Sequence, residues 1–432
     1  FFIIIAYLII SMIINFRLVQ SPLDIKYMKV LKFALSIVAA WDVRHIERIE
    51  SKYTPLKKIY VILLEYVCLV TGACYLRTNF GVIPFIELGH TCITVLMNIV
   101  ACTRLLLIFL DSYHKLIVRF LNEIHLYNFK DVSQHAMKIH LMVHKLSHYF
   151  TLYLSILTVT GYLLFQGIPL YINITSGVFN NPRPENVTFQ HTVYYQLPFD
   201  YKTNIWGYLT LFISNIYISC IASLCFIAFD LLISLLIFHI WGHLKILIHN
   251  LETIPLPLCL DSGDGESYTY SKAEAINIFN KLRECVIHHQ LIIDFISATS
   301  NTFGVFLLIY YAFHQVCLCF LLLQCSQMNA SALTRYGPLT LILFQQLIQI
   351  SLVFELLGSL YETLSVTVYN TPWEYMDTKN RKIVLIFLRQ AQKPVNLKAG
   401  SMVTVGVQTM ATILKTSISY FVMLQTVAVN DL

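Results

Sequence analysis

Residues 205–229 read IWGYLTLFISNIYISCIASLCFIAF, twenty-five consecutive positions without an Asp, Glu, Lys or Arg. A bilayer core about 30 Å thick is crossed by about 20 apolar helical residues, so this stretch is long enough to span. Backbone N–H and C=O groups find no water in lipid and must pair within the segment, which makes the span a helix. Working outward in both directions gives six more stretches of this kind, roughly Ile59–Leu76, Phe85–Leu110, Phe150–Ile172, Thr302–Cys325, Leu339–Leu360 and Met402–Val427. Composition agrees: 57% of the 432 residues are hydrophobic and 12% charged, where a soluble domain carries about a quarter charged. Mean hydropathy is +0.65. The fold class predicted is an all-α membrane protein with seven transmembrane helices.

The connecting segments differ in basic residues, and that difference orients the spans. Lys26, Lys29, Lys32, Arg44, Arg48, Lys52, Lys57 and Lys58 precede the first span. Lys115, Arg119, Lys130, Lys138 and Lys145 follow the second, and Lys379, Arg381, Lys382, Arg389, Lys393 and Lys398 precede the seventh. The other side holds little more than Arg183, Lys202 and Arg335. Positive-inside bias then puts the N-terminus in the cytosol and, with seven spans, the C-terminus outside. Three N-glycosylation sequons, at Asn173, Asn186 and Asn329, fall in or beside loops assigned to the outside, as that modification requires. Nine of the eleven cysteines fall in apolar runs, and the outer loop from Asn173 to Asn204 has none, so they read as small hydrophobes rather than a disulfide framework.

These boundaries divide the chain. Residues 1–20 are an apolar segment, short for a span, expected to derive from upstream sequence because a receptor-like start follows at Ser21. Residues 21–58 are a cytosolic N-terminal region, and 59–369 hold the first six spans with cytosolic extensions and a ligand pocket. Residues 370–400 form a cytosolic anchor segment, and 401–432 the last helix and an extracellular C-terminus. Helical spacing continues past the membrane over Asn122–Ser147, Leu231–Leu251 and Ser271–Asp294. Such amphipathic extensions are expected to pack as a cytosolic helical bundle.

The last span has a face that lipid would not tolerate. Thr404, Gln408, Thr412, Thr416 and Ser419 recur at three- and four-residue intervals, one stripe of a helix. Toward the outer end the stripe turns apolar at Met423 and Val427, a pattern that could close a water-filled path by excluding water. The alternative is that the hydroxyls bond back to helix carbonyls and pack against neighbours. The Gln408 amide favours the pore-lining reading, since it costs more in lipid than a hydroxyl.

Other constellations point away from catalysis. His140, His144 and His148 share a helical face, and Glu284 pairs with His288 at four residues. No His-Glu-x-x-His or Cys-x-x-Cys accompanies them, so they read as a cytosolic face and no metal is assigned. Phosphate loop, nucleophile elbow and paired-carboxylate signatures are all missing, so neither an enzyme nor a cofactor is expected, and the net charge of +6 suits cytoplasmic loops at anionic lipid rather than nucleic acid. Within spans, Glu65, Glu87, Arg104, Asp230 and Glu355 are ionisable, and each is a functional candidate by default. Arg104, Asp230 and Glu355 fall toward the cytosolic ends of their spans, where snorkelling or pairing is the better reading. Glu87 with His90 lies near the outer start of the second span, where the two could border a ligand cavity.

From Tyr369 onward the chain resembles the C-terminal signature of insect odorant receptors over some sixty residues. The match reads Tyr369-Asn370-Thr371-Pro372-Trp373-Glu374, Met376-Asp377, Asn380-Arg381-Lys382, Gln392-Lys393-Pro394, Leu397-Lys398-Ala399-Gly400 and Leu414-Lys415-Thr416-Ser417-Ile418-Ser419-Tyr420-Phe421. Tyr27-Met28-Lys29 and Val405 to Ala411 look like the moth pheromone-receptor branch. The resemblance implies the ligand-binding subunit of an odorant-gated, non-selective cation channel, a heterotetramer with the family's coreceptor in the plasma membrane of an olfactory neuron dendrite. It places the ligand among the second, third, fourth and sixth helices, the subunit anchor at Pro372, Trp373, Asp377, Arg381, Pro394 and Lys398, and the pore along the last helix. An outer constriction, carried over from Tyr420-Phe421, falls on Met423 and Val427, where a Val and Leu pair would be expected in the coreceptor.

For a volatile hydrophobic ligand the outer-half candidates are Phe85, Tyr162, Phe165, Tyr208, Phe212 and Phe344, with His90 and Gln166 as polar contacts, since small-ligand sites are apolar with a few placed polar groups. A long-chain aldehyde, acetate or alcohol would suit the pheromone branch. A seven-span receptor coupled to G proteins is the alternative; the inside N-terminus, the Cys-free outer loop and the missing Asp-Arg-Tyr and Asn-Pro-x-x-Tyr patterns count against it. A transporter would more often show repeated halves. On intact cells an epitope placed before the first span should be shielded from antibody and one after the last span accessible; the reverse pattern would overturn the orientation.

Overall fold

The computed structural model describes residues 21–41, 53–83, 85–180, 183–184, 187–257, 269–325, 330–393, 398–399 and 403–430. Segment 1–20, Asn186, Asn329 and Pro394 lie outside the described residues, as do the side chains of Phe85, Lys398, Thr404 and Val427. Among the described residues, ten α-helices follow in chain order: α1 Lys26–Ile37, α2 Thr54–Asn79, α3 Phe85–Leu106, α4 Asp111–Arg119, α5 Gln134–Thr175, α6 Ile205–Glu252, α7 Lys272–Cys325, α8 Ala330–Tyr369, α9 Thr378–Ala391 and α10 Val407–Asn430. Among the described residues, α2, α3, α5, α6, α7 and α8 are long and apolar enough to cross a bilayer, and α10 supplies the seventh apolar helix.

The apolar run chosen from sequence belongs to α6, whose 48 residues at about 1.5 Å each reach roughly 70 Å, twice a bilayer core. Nearly every side chain from Ile221 to Leu251 is buried, because α5, α7, α8 and α1 all pack on it. Helix α7, at 54 residues, is longer still. The extensions expected over Leu231–Leu251 and Ser271–Asp294 are thus continuous with their spans. Asn122–Ser147 is not one helix. A π-turn at Phe120–Ile124 ends α4, and a short loop leads to Ser133, whose hydroxyl accepts from Ala136 N at 3.0 Å and starts α5, a standard N-cap.

A buried histidine cluster joins these extensions and fixes α1 against them. His125 Nδ1 accepts from Tyr127 N (3.2 Å) and His239 Nδ1 from Leu126 N (3.1 Å). Each neutral ring therefore carries its proton on Nε2, and both Nε2 atoms meet the Tyr27 hydroxyl oxygen, at 3.1 and 3.3 Å. His243 donates from Nε2 to Ile124 O (2.7 Å), leaving Nδ1 to accept from His288 Nε2 at 2.9 Å. Adding a proton to His125, His239 or His243 would set one N–H against another. Burial pushes the His125 and His243 rings down to about 3 and His288 to about 4, with neighbouring histidines adding to the shift at His125 and His243. His243 lies about 20 Å along the helix past the apolar run.

One sequence expectation changes at the last helix. Lys398–Ala399 pairs antiparallel with Val403–Thr404, Lys398 opposite Thr404, and α10 begins only at Val407. Thr404 is extended and does not belong to the helical stripe. Glu355 of α8 accepts from Val407 N at 3.2 Å, a carboxylate at a helix N-terminus where the dipole favours it.

The histidine cluster gives a signed pH dependence. An unfolded histidine protonates near 6.5 while the folded rings resist it, so folding stability is flat above that pH and falls progressively below it. The melting temperature of the detergent-purified chain should drop between about pH 6.5 and about pH 5. A flat profile over that window would mean the cluster accepts protons without penalty.

Candidate functional site

A cavity of about 130 Å³ lies between α3, α5, α6 and α8. Thr94, Met97 and Asn98 come from α3, Leu154, Thr158, Gly161, Tyr162 and Phe165 from α5, Ile218, Ser219, Ala222, Ser223, Phe226 and Asp230 from α6, and Leu339, Ile342 and Gln346 from α8. Val193 and Tyr195 close one end from the loop ahead of α6. A Cβ on Gly161 would sit 2.9 Å from Ile342 Cδ1, so glycine permits the close approach of α5 and α8 there.

Of the eight residues selected from sequence, Tyr162 and Phe165 line this cavity. Tyr162 donates to Ile216 O at 2.9 Å, which turns its ring into the wall. His90, Gln166, Tyr208 and Phe212 do not line it. His90 Nε2 donates to Thr192 O (2.7 Å), and Gln166 Oε1 accepts from Thr192 Oγ1 (2.8 Å). Asn215 Nδ2 donates to Val193 O, and Gln196 N to Thr71 O. Tyr208 stacks on Phe189 of the loop and on Phe212, and its hydroxyl accepts from Asn173. These polar and aromatic groups hold the loop over residues 187–204 down as the cavity's cap, satisfying backbone groups that burial would otherwise orphan. Phe344 faces a separate groove with Phe150, Tyr153 and Phe238.

Asn173, chosen as a glycan acceptor, is fully buried, donates to Gln190 O at 2.8 Å and accepts from Gln190 N at 2.7 Å. The folded chain leaves this amide no room for a glycan.

Apart from Asp230, already singled out as ionisable, sequence reading missed the α6 contribution, Ser219 to Phe226, because that helix is apolar on every side and offers no stripe to follow. At the end of the cavity away from the loop sits an ion pair. Arg104 Nη2 donates to Asp230 Oδ1 at 2.7 Å with the Arg104 side chain fully buried. Its guanidinium lies 4.4 Å from the Phe226 ring centre, 4.9 Å from Phe306 and 5.3 Å from Tyr310, so α3, α6 and α7 meet at one cation. Further along α7, Gln315 Nε2 donates to Ser417 Oγ of α10 at 3.0 Å.

On α10, Ile413 and Ser417 turn inward and are buried, while Gln408, Thr412 and Ser419 are exposed, as is Met423. The Thr412, Thr416 and Ser419 hydroxyls all bond back to carbonyls one turn earlier. Before α9, Trp373 Nε1 donates to Tyr369 O (3.1 Å) and Arg381 to Glu374 O (2.7 Å), Pro372 opens a 3₁₀ turn, and Asp377 caps α9 by accepting from Asn380 N. Asn380 in turn donates to Ala275 O of α7 at 2.9 Å. These motif residues thus shape the turn and dock α9 on α7.

The architecture defines a multi-span helical membrane protein with an internal small-molecule cavity capped by its own loop. The model of the family described as 7tm odorant receptor matches residues 85–418, and the chain belongs to that family. It is 28% identical over 152 residues to odorant receptor 85d of Drosophila melanogaster, covering 34% of this chain and 36% of that one. Odorant receptor 85c of the same fly is 25% identical over 152 residues, 34% of this chain and 39% of that one. The chain thus spans little more than a third of the length of the curated relatives it matches. In structure it is similar to the insect olfactory receptor OR5 from Machilis hrabei, with a TM-score of 0.74 at 15% identity over 93% of this chain and 98% of that one. The same receptor in complex with eugenol gives 0.72 at 16% identity over the same shares. At these identities the likeness is one of fold.

Filling the cavity should block it. Ala222→Phe should raise the half-maximal concentration of any ligand held there about tenfold or more at unchanged surface expression, as overpacking a formed cavity expels its guest. An unchanged dose–response would place the ligand elsewhere.

Proposed function

We propose that this chain is the odorant-binding subunit of a ligand-gated cation channel, sited in the plasma membrane of an olfactory neuron dendrite and assembled with the family's coreceptor. The observation that carries the reading is the loop-capped cavity and its physical link to α10. The cavity's Phe226 touches Arg104, Arg104 touches Phe306 and Tyr310 of α7, and α7 bonds α10 through Gln315 and Ser417. A guest that shifts the cavity wall has a packed route to the last helix. An apolar cavity of about 150 Å³ takes a benzene-sized guest, so the ligand proposed is a compact volatile, and a long-chain pheromone would need the walls to widen.

In the assembly, Gln408, Thr412, Thr416 and Ser419 face the conducting path, and Met423 with Val427 narrows it. Leu385 and Ile386, 67% and 70% exposed on α9, offer the apolar contact between subunits, in keeping with an anchor at this segment.

Current recording in cells expressing the chain with and without the coreceptor, across a panel of compact volatiles, tests this. Evoked cation current should require the coreceptor and survive blockade of G-protein signalling, and Met423→Ala should raise basal current. Silence across the panel from surface-expressed heteromers, or current that fails under the blockade, would count against the channel reading.

A further inference from the structure

The cavity has two unlike ends, and the far one carries charge. Helices α3 and α8 run away from the capping loop while α5 runs toward it, so Asn98, Leu154, Asp230 and Gln346 gather at the end opposite Val193 and Tyr195. Asp230 is 5% exposed. Its Oδ1 is taken by Arg104, and among the described residues no donor reaches Oδ2. Gln346 Oε1 is also buried without a hydrogen-bond partner. A buried acceptor without a donor is costly, and Gln346 Oε1 is one, on the same small cavity wall that carries the open Asp230 oxygen.

We infer that Asp230, positioned by Arg104, receives the polar end of the ligand and selects a hydroxyl group, so the preferred ligand is a compact alcohol or phenol rather than an ether, ester or hydrocarbon of the same shape. The inference rests on the ligand-cavity reading above. A hydroxyl has one proton to donate, and the open Asp230 oxygen or the neighbouring Gln346 Oε1 can accept it. An ether oxygen brings no donor and would face the carboxylate with a lone pair. An ammonium would donate too, but Arg104 already neutralises Asp230, and a second cation beside it would be buried in excess. The rest of the wall, Phe165, Ile218, Leu339 and Ile342, suits a hydrocarbon body pointing toward the loop.

Matched probes that differ only in the donor test this: 1-hexanol against its methyl ether, and phenol against anisole. Binding is read as thermal stabilisation of the full detergent-purified chain, independently of gating. Each alcohol should bind about tenfold or more tightly than its ether, the size expected for a hydrogen bond to a charged group. The double variant Arg104→Met/Asp230→Leu removes both charges in apolar residues of similar bulk, an exchange that buried pairs often tolerate. It should bind the ethers as before and lose the alcohol preference. If that variant does not fold, Ala222→Phe, which leaves the ion pair intact, should abolish stabilisation by both alcohols. Equal binding of alcohol and ether by the unmodified chain, retention of the preference without Asp230, or no stabilisation by any probe would each overturn the inference. Selective alcohol binding with no current in cells would leave it standing and overturn the channel reading instead.

Discussion

A guanidinium buried among rings and helix carbonyls cannot stand without its counter-charge, and the centre of this molecule is arranged around that requirement. Arg104 meets Asp230, the Phe226 carbonyl at 2.7 Å and three aromatic rings. Removing one partner of such a pair costs about 3–5 kcal/mol, because the other is left buried and uncompensated. The pair therefore fixes the register of α3 against α6 and the approach of α7 to both. It also gives a mostly apolar cavity one polar end, which makes a structural tie and a chemical feature of the site the same object.

The helix extensions beyond the apolar runs solve a related problem with neutral groups. Four spans continue well beyond the bilayer, and their buried polar side chains must find partners there. Tyr27, His125, His239, His243 and His288 do so by fixing tautomers: each ring nitrogen that accepts from the protein leaves the other to donate. Such a network is stable only while it is fully satisfied. It holds α1 in the core, where Tyr27, Met28, Val30 and Leu31 are wholly buried. The charge pattern had suggested only a basic cytosolic segment there.

At the loop end of the cavity the same logic accounts for a set of polar side chains. His90, Gln166, Asn173, Asn215 and Tyr208 sit where an outer-half pocket would draw its polar contacts. They instead bind the backbone or side chains of the loop over residues 187–204. A loop pressed into a helical bundle brings peptide groups that need partners, and these side chains supply them. The cavity is what remains beneath the loop, lined by residues such as Ala222, Ser223 and Gly161 whose small size is unremarkable in a sequence.

The sequence by itself determined which stretches are apolar enough to cross, because a bilayer of fixed thickness sets the run length a crossing helix needs. Its C-terminal motif also pointed to the family, and the spacing of Gln408, Thr412, Thr416 and Ser419 marked one face of α10, since a helix turns residue spacing into a face. Tertiary structure decided everything that depends on which faces meet. It showed that Thr404 lies in a strand pairing with Lys398, that Asn173 is buried under the loop, and that α6 supplies one wall of the cavity. In the sequence Arg104 and Asp230, 126 positions apart, are two ionisable residues toward the same ends of separate spans, open to snorkelling or to pairing. Their meeting at the cavity's end follows from the packing of α3 on α6, which no local pattern encodes.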